Sequence, residues 1–357
     1  VYDVAVIGGG PAGAAAALRL AASGMQVALV ERESPPRVRA GESVGVGVRG
    51  QLESLGLAAL WDDPRHRPAL ERASAWADET LAWVPAMIQQ VHGAGRTLDR
   101  NAFDADLLAA AYAAGATPIA DTLVRAVRQP DHWQTTLRGG QLRTRWLVDA
   151  GGTQSVLARQ LGLVREQADP LFALLALLDP LPDTPTRLDA LEAGHALLIE
   201  AIPHGWWYSA PLADGRIIAV LLSDAAGLRG GRAHAWSRAR ALAPHTHARL
   251  DACLAATRSY VRAAGPALLG ATRPHHVALG DALRRGDPLA GRGIEEALDS
   301  AARGVAALLA SEAGDGQALA DFVEHARARH REHLATRRRL YAAVRRFADQ
   351  PFWRGRA

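Results

Sequence analysis

Gly8, Gly10 and Gly13 stand at the spacing G-x-G-x-x-G, and Glu31 lies 18 residues beyond the last of them. Each position has a chemical use. The first glycine allows a tight turn. The second lets backbone N–H groups approach a pyrophosphate, and the third lets the next helix pack close to its strand. A carboxylate at Glu31 can accept hydrogen bonds from ribose hydroxyls. The pattern is that of a dinucleotide site, and by itself it does not separate FAD from NAD.

The flanking residues can build the elements this site needs. Residues 4–7 are a short apolar run, too short for a helix, and read as a buried parallel strand. Residues 14–23 are rich in helix formers and stop at Gly24. Residues 27–30 form the second strand and deliver Glu31 at its end.

Further along, Leu98-Asp99-Arg100 precedes a helix that runs to Gly115, with Asp99 or Asn101 as its cap. Residues 118–120 are a short strand, 122–145 a meander, and 146–150 another parallel-type strand leading into Gly151-Gly152. From 163 to 270 the pattern changes to several strands, with a hairpin turn at Asp214-Gly215 and a helix over 233–256. A strand then ends in Gly280-Asp281, a loop covers 287–293, and helices follow from Ile294 to the terminal Pro351-Phe352-Trp353.

The expected architecture is α/β. A Rossmann-type dinucleotide-binding domain spans 1–75, 96–162 and 271–311. An inserted antiparallel-sheet domain spans 76–95 and 163–270, and a helical segment spans 312–357.

Composition sets limits. The chain has 357 residues, 49% of them hydrophobic, enough for a large core. No apolar run is long enough to span a membrane, so no stable membrane insertion is expected. The first strand starts at residue 1, so no leader is read, and Cys253 has no partner for a disulfide; a cytoplasmic location is the expectation. The net charge is +4, and every basic residue is arginine. The absence of lysine excludes any mechanism that needs a lysine amine. The arginines are scattered and accompany no nucleic-acid motif, so no nucleic-acid partner is expected. The cluster at Arg327, Arg331, Arg338 and Arg345 reads as a solvated helix surface. The histidines at 275, 276, 325, 330 and 333 lack metal-ligand spacing, and Ser43 and Ser155 lack a neighbouring histidine base.

Four separated motifs together resemble the FAD-dependent monooxygenases of the p-hydroxybenzoate hydroxylase fold, with the related flavin-dependent halogenases and geranylgeranyl reductases. They are Gly8–Gly13 with Glu31; Leu98-Asp99-Arg100; Asp149-Ala-Gly-Gly-Thr-Gln-Ser155; and Gly280-Asp281 with Pro288-Leu-Ala-Gly-Arg-Gly293. The family has Asp-Gly where this chain has Gly151-Gly152, a change that frees the backbone and leaves the turn possible. Gly41-Glu42-Ser43 and Gly205-Trp-Trp-Tyr-Ser-Ala-Pro211 resemble the halogenase-like branch, which includes hydroxylases of tryptophan side chains.

The resemblance implies FAD as cofactor. It carries over Gly8, Gly10, Pro11, Ala12, Gly13, Glu31, Arg32 and Val124 as cofactor-binding residues. Ser43, Gly151 and Gly280 are implied as cofactor-binding too, Asp281 at the ribityl chain, and Arg39 and Arg100 at the pyrophosphate or ribityl region. Pro288, Gly291, Gly293 and Ile294 are implied at the flavin pyrimidine edge, where the positive end of the last helix favours negative charge.

The implied reaction is hydroxylation of an aromatic ring through a flavin C4a-hydroperoxide, with NAD(P)H as a transient reductant. Glu42, Ser43 and Tyr208 are the candidate catalytic residues on the substrate side. The substrate is either a small aromatic molecule or a Trp or Tyr side chain presented by a partner protein, and Trp206 or Trp207 is expected to line its tunnel or to pack as core. Two other reactions remain: reduction of an isoprenoid alkene, and halogenation. Halogenases of this type use an active-site lysine that this chain lacks.

Overall fold

The computed structural model describes residues 2–32, 42–69, 71–85, 94–254, 259–269 and 273–357. Arg39 and Gly41 of the expected site lie outside the described residues.

The first sheet carries the dinucleotide motif. Its parallel strands run in the order Thr117–Ala120, Val27–Glu31, Tyr2–Ile7 and Gln141–Asp149. His276–Ala278 pairs with the C-terminal half of Gln141–Asp149, Trp133–Leu137 pairs with its N-terminal half, and Leu123–Arg128 pairs in turn with Trp133–Leu137. One long strand thus carries both the parallel core and the meander. Val4, Ala5 and Val6 are fully buried, as a central strand covered on both faces requires.

Helix Pro11–Ala22 follows the first strand, with Pro11 in its first turn and Gly24 in the left-handed region just past its end. Ala14, Ala15, Ala16 and Ala17 are all buried. Such small side chains let this helix lie close to helices Arg100–Ala113 and Gly293–Glu312. Asp99 caps Arg100–Ala113 by accepting from the N–H groups of Asn101 and Ala102, as its position implies.

The second sheet has the order Ser259–Ala263, Phe172–Leu178, Ile217–Ser223, Gly205–Pro211, Leu197–Ile202, Glu71–Ala75 and Ala82–Pro85. Glu71–Ala75 lies just ahead of the boundary expected at residue 76, yet it belongs to this sheet and pairs in parallel with Leu197–Ile202. The remaining pairings of this sheet are antiparallel.

The two faces of the second sheet meet different partners. On the outer face Leu174, Trp207 and Leu221 form a core with Ala239 and Leu250. The single helix expected over 233–256 is instead two, Arg232–Arg240 and Pro244–Asp251. Pro244 forces Ala243 out of helical geometry and starts the second helix. On the inner face Leu175, Trp206 and Val220 pack with Tyr341, Val344, Phe352 and Trp353 from the C-terminal segment. The long helix Ala318–Ala342 reaches there from the first domain, where Phe322, Val323 and Ala326 join the main core.

Among the described residues no helix is long and apolar enough to cross a membrane.

Candidate functional site

Three of the sequence motifs meet at the C-terminal edge of the first sheet. A Cβ on Gly13 would lie 1.8 Å from the Gly8 carbonyl oxygen, and one on Gly8 would lie 2.4 Å from the carbonyl oxygen of Ala150. A Cβ on Gly280 would fall 2.9 Å from that of Ala12. The chain therefore approaches itself at three places where only glycine fits, which pulls residues 8–13, 149–152 and 280–281 into one cluster. Gly10 differs: a Cβ there meets nothing within 4 Å. Its surroundings are open, and the helix that begins at Pro11 has no side-chain cap. Free helix N–H groups facing open space are the local requirement for a pyrophosphate. The residues present thus fit a dinucleotide.

The polar groups around this cluster are held in place. Glu31 accepts a hydrogen bond from the Gly9 N–H. Asp281 accepts one from Thr153 Oγ1 at 3.1 Å, and the Gly280 N–H donates to Ser300 Oγ at 2.7 Å. Asp149 is buried and accepts from Ser155 Oγ and from the Gly151 N–H. Burial pushes its carboxyl above the usual range, against the pull of those hydrogen bonds. In the Gly151-Gly152 pair only Gly152 sits at positive φ, +67°. The residue that departs from the family pattern is therefore not the one the turn depends on.

Between Glu42 and residues 98–101 of the first domain and the inner face of the second sheet lies a cavity of about 330 Å³. Glu42, Leu98 and Arg100 line one side of it, and Leu177, Leu212 and Ile218 line the other. Strand Ser43–Val44 pairs with Gly95–Thr97, and the Leu98 N–H donates to the Glu42 carbonyl at 2.7 Å. That pairing sets Glu42 beside Arg100. Burial opposes the charge on Arg100, but Asp104, Glu42 and Asp281 outweigh it and raise its pKa. Asp104 ion-pairs with Arg100 at 3.1 Å. Tyr208 faces the same region from the second sheet. Its hydroxyl is held well above its usual pKa, first by burial and then by the Glu42 carboxylate.

The loop expected at the flavin is built around Asp287. This residue caps the short turn Pro288–Ala290, accepting from the Leu289 N–H at 3.0 Å, and Gly291 closes the turn at φ +61°. Helix Gly293–Glu312 starts two residues later, with Ile294 buried. The C-terminal helix holds the loop from behind. Tyr341 Oη and Arg337 Nε donate to Asp287 Oδ2 at 3.0 and 2.7 Å, and the Asp287 N–H donates to His333 Nε2 at 2.6 Å. Arg337 and Arg356 share Asp169 as a second buried carboxylate.

Of the expected residues, Gly8, Gly10, Pro11, Ala12, Gly13, Glu31, Gly151, Gly280 and Asp281 lie in or against the glycine cluster. Glu42, Ser43, Arg100 and Tyr208 are at the cleft. Arg32 is exposed, and Val124 is exposed on the meander with its carbonyl accepting from Gln160. The aromatic pair is divided. Trp206 is buried on the inner face and donates to Tyr341 Oη at 3.0 Å; Trp207 is buried on the outer face and donates to the Ala239 carbonyl at 3.2 Å. Both are core residues and neither lines the cavity. The expectation of a solvated arginine cluster holds for Arg331, Arg338 and Arg345, but Arg337 among them is buried.

Sequence reasoning missed Asp169, Arg337 and Tyr341. The alternation of Trp206 and Trp207 along a strand was the one signal that they serve different faces.

The family profile described as "FAD binding domain" matches residues 1–338. The chain is 30% identical over 372 residues to LodB of Marinomonas mediterranea, a protein whose name classes it as a FAD-dependent oxidoreductase, covering 99% of this chain and 96% of that one. The solved structure of CmlS, a flavin-dependent halogenase, superposes with a TM-score of 0.87 at 23% identity over 99% of this chain and 67% of its own. That of QhpG, a peptidyl tryptophan dihydroxylase essential for tryptophylquinone cofactor biogenesis, superposes with a TM-score of 0.81 at 26% identity over 99% of this chain and 78% of its own.

Proposed function

This chain belongs to the FAD-binding-domain family, and from that premise we propose that it is a monooxygenase that hydroxylates an electron-rich aromatic ring, with NAD(P)H as the reductant. The observation that carries the reading is the cavity between Glu42–Arg100 and the inner face of the second sheet. It is about 330 Å³, apolar at Leu98, Leu177, Leu212 and Ile218, and lined elsewhere by charged residues such as Arg65, Asp99 and Arg216. An aromatic ring fits such a space. A long isoprenoid chain would need a longer apolar channel, so reduction of an isoprenoid alkene is the weaker alternative. Halogenation is weaker still, because the chain has no lysine. The likeness to QhpG, a peptidyl tryptophan dihydroxylase by its title, favours a tryptophan ring, free or protein-borne.

Backbone N–H groups of Gly10, Ala12 and Gly13 would hold the FAD pyrophosphate, Glu31 the adenosine ribose, Asp281 the ribityl chain, and residues 291–293 the pyrimidine edge. The bound flavin supplies two-electron reduction and oxygen activation. The protein does the rest. The apolar floor excludes water and orients the ring. Glu42, buried beside Arg100 and Tyr208, is the group placed to accept a proton from an indole N–H or a phenol.

The test is incorporation of label. FAD-loaded protein is supplied with NADH or NADPH, ¹⁸O₂ and a panel of indoles, phenols and tryptophan peptides. A product heavier by one ¹⁸O per ring, abolished in Glu42→Gln, supports the reading. Reoxidation by oxygen with no labelled product, together with turnover of an isoprenoid alkene, would transfer it to the reductases.

A further inference from the structure

One cation at the edge of the cleft has no role so far. In the second sheet, Arg262 pairs with Ala173 and Tyr260 with Leu175. Ala173 and Leu175 both belong to the inner-face core. Residues directly opposite across a strand pair point to the same side of a sheet. Arg262 and Tyr260 therefore project from the inner face, towards the first domain, while Val261, opposite Leu174, projects outward with the outer core.

The charge environment agrees with that direction. Arg262 feels the carboxylates of Asp281 and Glu42 and the guanidinium of Arg100, all at the cleft. Its side chain is open to solvent, yet the protein around it takes away enough water to lower its pKa, as expected for a group on the wall of a cleft.

The neighbouring arginines are committed elsewhere. Arg165 donates to the carbonyls of Thr153 and Ala282 at 2.9 and 2.7 Å, Arg285 donates to the carbonyl of Gly265 at 2.5 Å, and Arg100 is paired with Asp104. Among the described residues, Arg262 has neither a side-chain hydrogen bond nor an ion pair. Arg100, Arg165, Arg262 and Arg285 all feel Asp281, and Arg262 is the one of the four that holds no side-chain partner among the described residues. A free, partly desolvated guanidinium among them calls for an anion.

We propose that Arg262 is a substrate-binding residue that receives a carboxylate carried next to the aromatic ring, with the ring of Tyr260 beside it on the same strand. The proposal rests on the reading of the cleft as an aromatic hydroxylation site. The cofactor's own phosphates have their place at the uncapped helix start of the other sheet, so the anion on this wall belongs to the substrate. The carboxylate has two possible sources: a free aromatic acid, or an acidic residue flanking a protein-borne tryptophan.

The experiment titrates wild type, Arg262→Gln and Arg262→Lys with matched pairs of probes, followed by isothermal titration calorimetry so that the signal depends neither on flavin nor on the probes' own indole emission. The pairs are indole-3-acetate against indole-3-acetamide, and the blocked peptide Asp-Trp-Asp against Asn-Trp-Asn. FAD affinity is measured separately on each protein. Wild type is expected to bind the acid of at least one pair about tenfold or more tightly than its neutral partner, the size of one charge-assisted bidentate contact. Arg262→Gln should lose that preference with FAD affinity unchanged, and Arg262→Lys should keep part of it. The pair that shows the preference identifies the source. Equal binding of acid and neutral partner, binding of neither pair, or a preference that survives in Arg262→Gln overturns the proposal. A loss of FAD affinity in Arg262→Gln also overturns it and reassigns the residue to the cofactor. A wild-type protein that binds no FAD would instead count against the flavin reading, and the titrations would still report on Arg262.

Discussion

Tyr341 donates its hydroxyl hydrogen to Asp287 Oδ2 at 3.0 Å while accepting the indole N–H of Trp206, also at 3.0 Å. One side chain of the C-terminal helix therefore ties the loop expected at the flavin to the inner face of the substrate sheet. Burial, followed by the Asp287 carboxylate, raises the pKa of this hydroxyl well above its usual value, so it stays protonated and remains a donor.

Tyr341→Phe removes both bonds and leaves the indole N–H of Trp206 without its partner. The expected cost is about 1–3 kcal/mol of stability, read from urea unfolding. FAD should be held more weakly as well, because the loop before Gly291 loses an anchor. Unchanged stability together with unchanged FAD affinity would remove Tyr341 from the account of the site.

Gly10 and Gly13 should respond differently to the same substitution. A side chain at Gly10 enters open space, so Gly10→Val should fold and fail to retain FAD. A side chain at Gly13 collides with the Gly8 carbonyl, so Gly13→Val should lose the fold of the first domain. Visible absorbance and far-ultraviolet circular dichroism on the two variants separate these outcomes. A yellow Gly10→Val protein would sink the cofactor assignment.

Arg337→Ala strips a shared cation from Asp169 and Asp287, both of them buried. Breaking a buried pair from one side costs about 3–5 kcal/mol. The neighbouring Arg338 is exposed, and Arg338→Ala should change stability by less than about 0.5 kcal/mol. Thermal unfolding of the pair checks the contrast; equal midpoints would contradict it.

Acid should destabilise the chain through its buried histidines. His276 is fully buried, both ring nitrogens lack partners among the described residues, and burial holds its pKa down to about 4. Unfolded, it takes a proton near pH 6.5. Between those values the unfolded state binds more protons, so stability is full above about 6.5 and falls as pH drops towards 4. This one group accounts for about 3 kcal/mol over that range. His66, His204, His330 and His333 are shifted in the same direction. Asp149 acts oppositely, since its folded form keeps a proton to higher pH than its unfolded form. Urea unfolding at pH 7, 5.5 and 4.5 should show the fall, and His276→Phe should make it shallower. A flat profile in the wild type would contradict the assignment.

The local sequence determined the first domain and the cofactor class. Glycine spacing, a short apolar run and an alanine-rich helix are near-neighbour facts, and they place Gly8–Gly13 and Glu31 without knowledge of the rest of the chain. The cap at Asp99 and the turn at Gly215 were legible for the same reason: each depends on a few adjacent residues. Tertiary structure alone decided the second half of the site. Asp169, Asp287, Arg337 and Arg356 meet across sequence separations from 50 to 187 residues, and nothing in the spacing of charges along a chain says which aspartate a given arginine will find. The direction of Arg262 was likewise set by strand register, because a shift of one residue would turn it to the other face of the sheet. The two tryptophans at 206 and 207 separate for that same reason. Adjacent residues on a strand point to opposite faces, and only the packing of the C-terminal segment fixes which face looks towards the cleft.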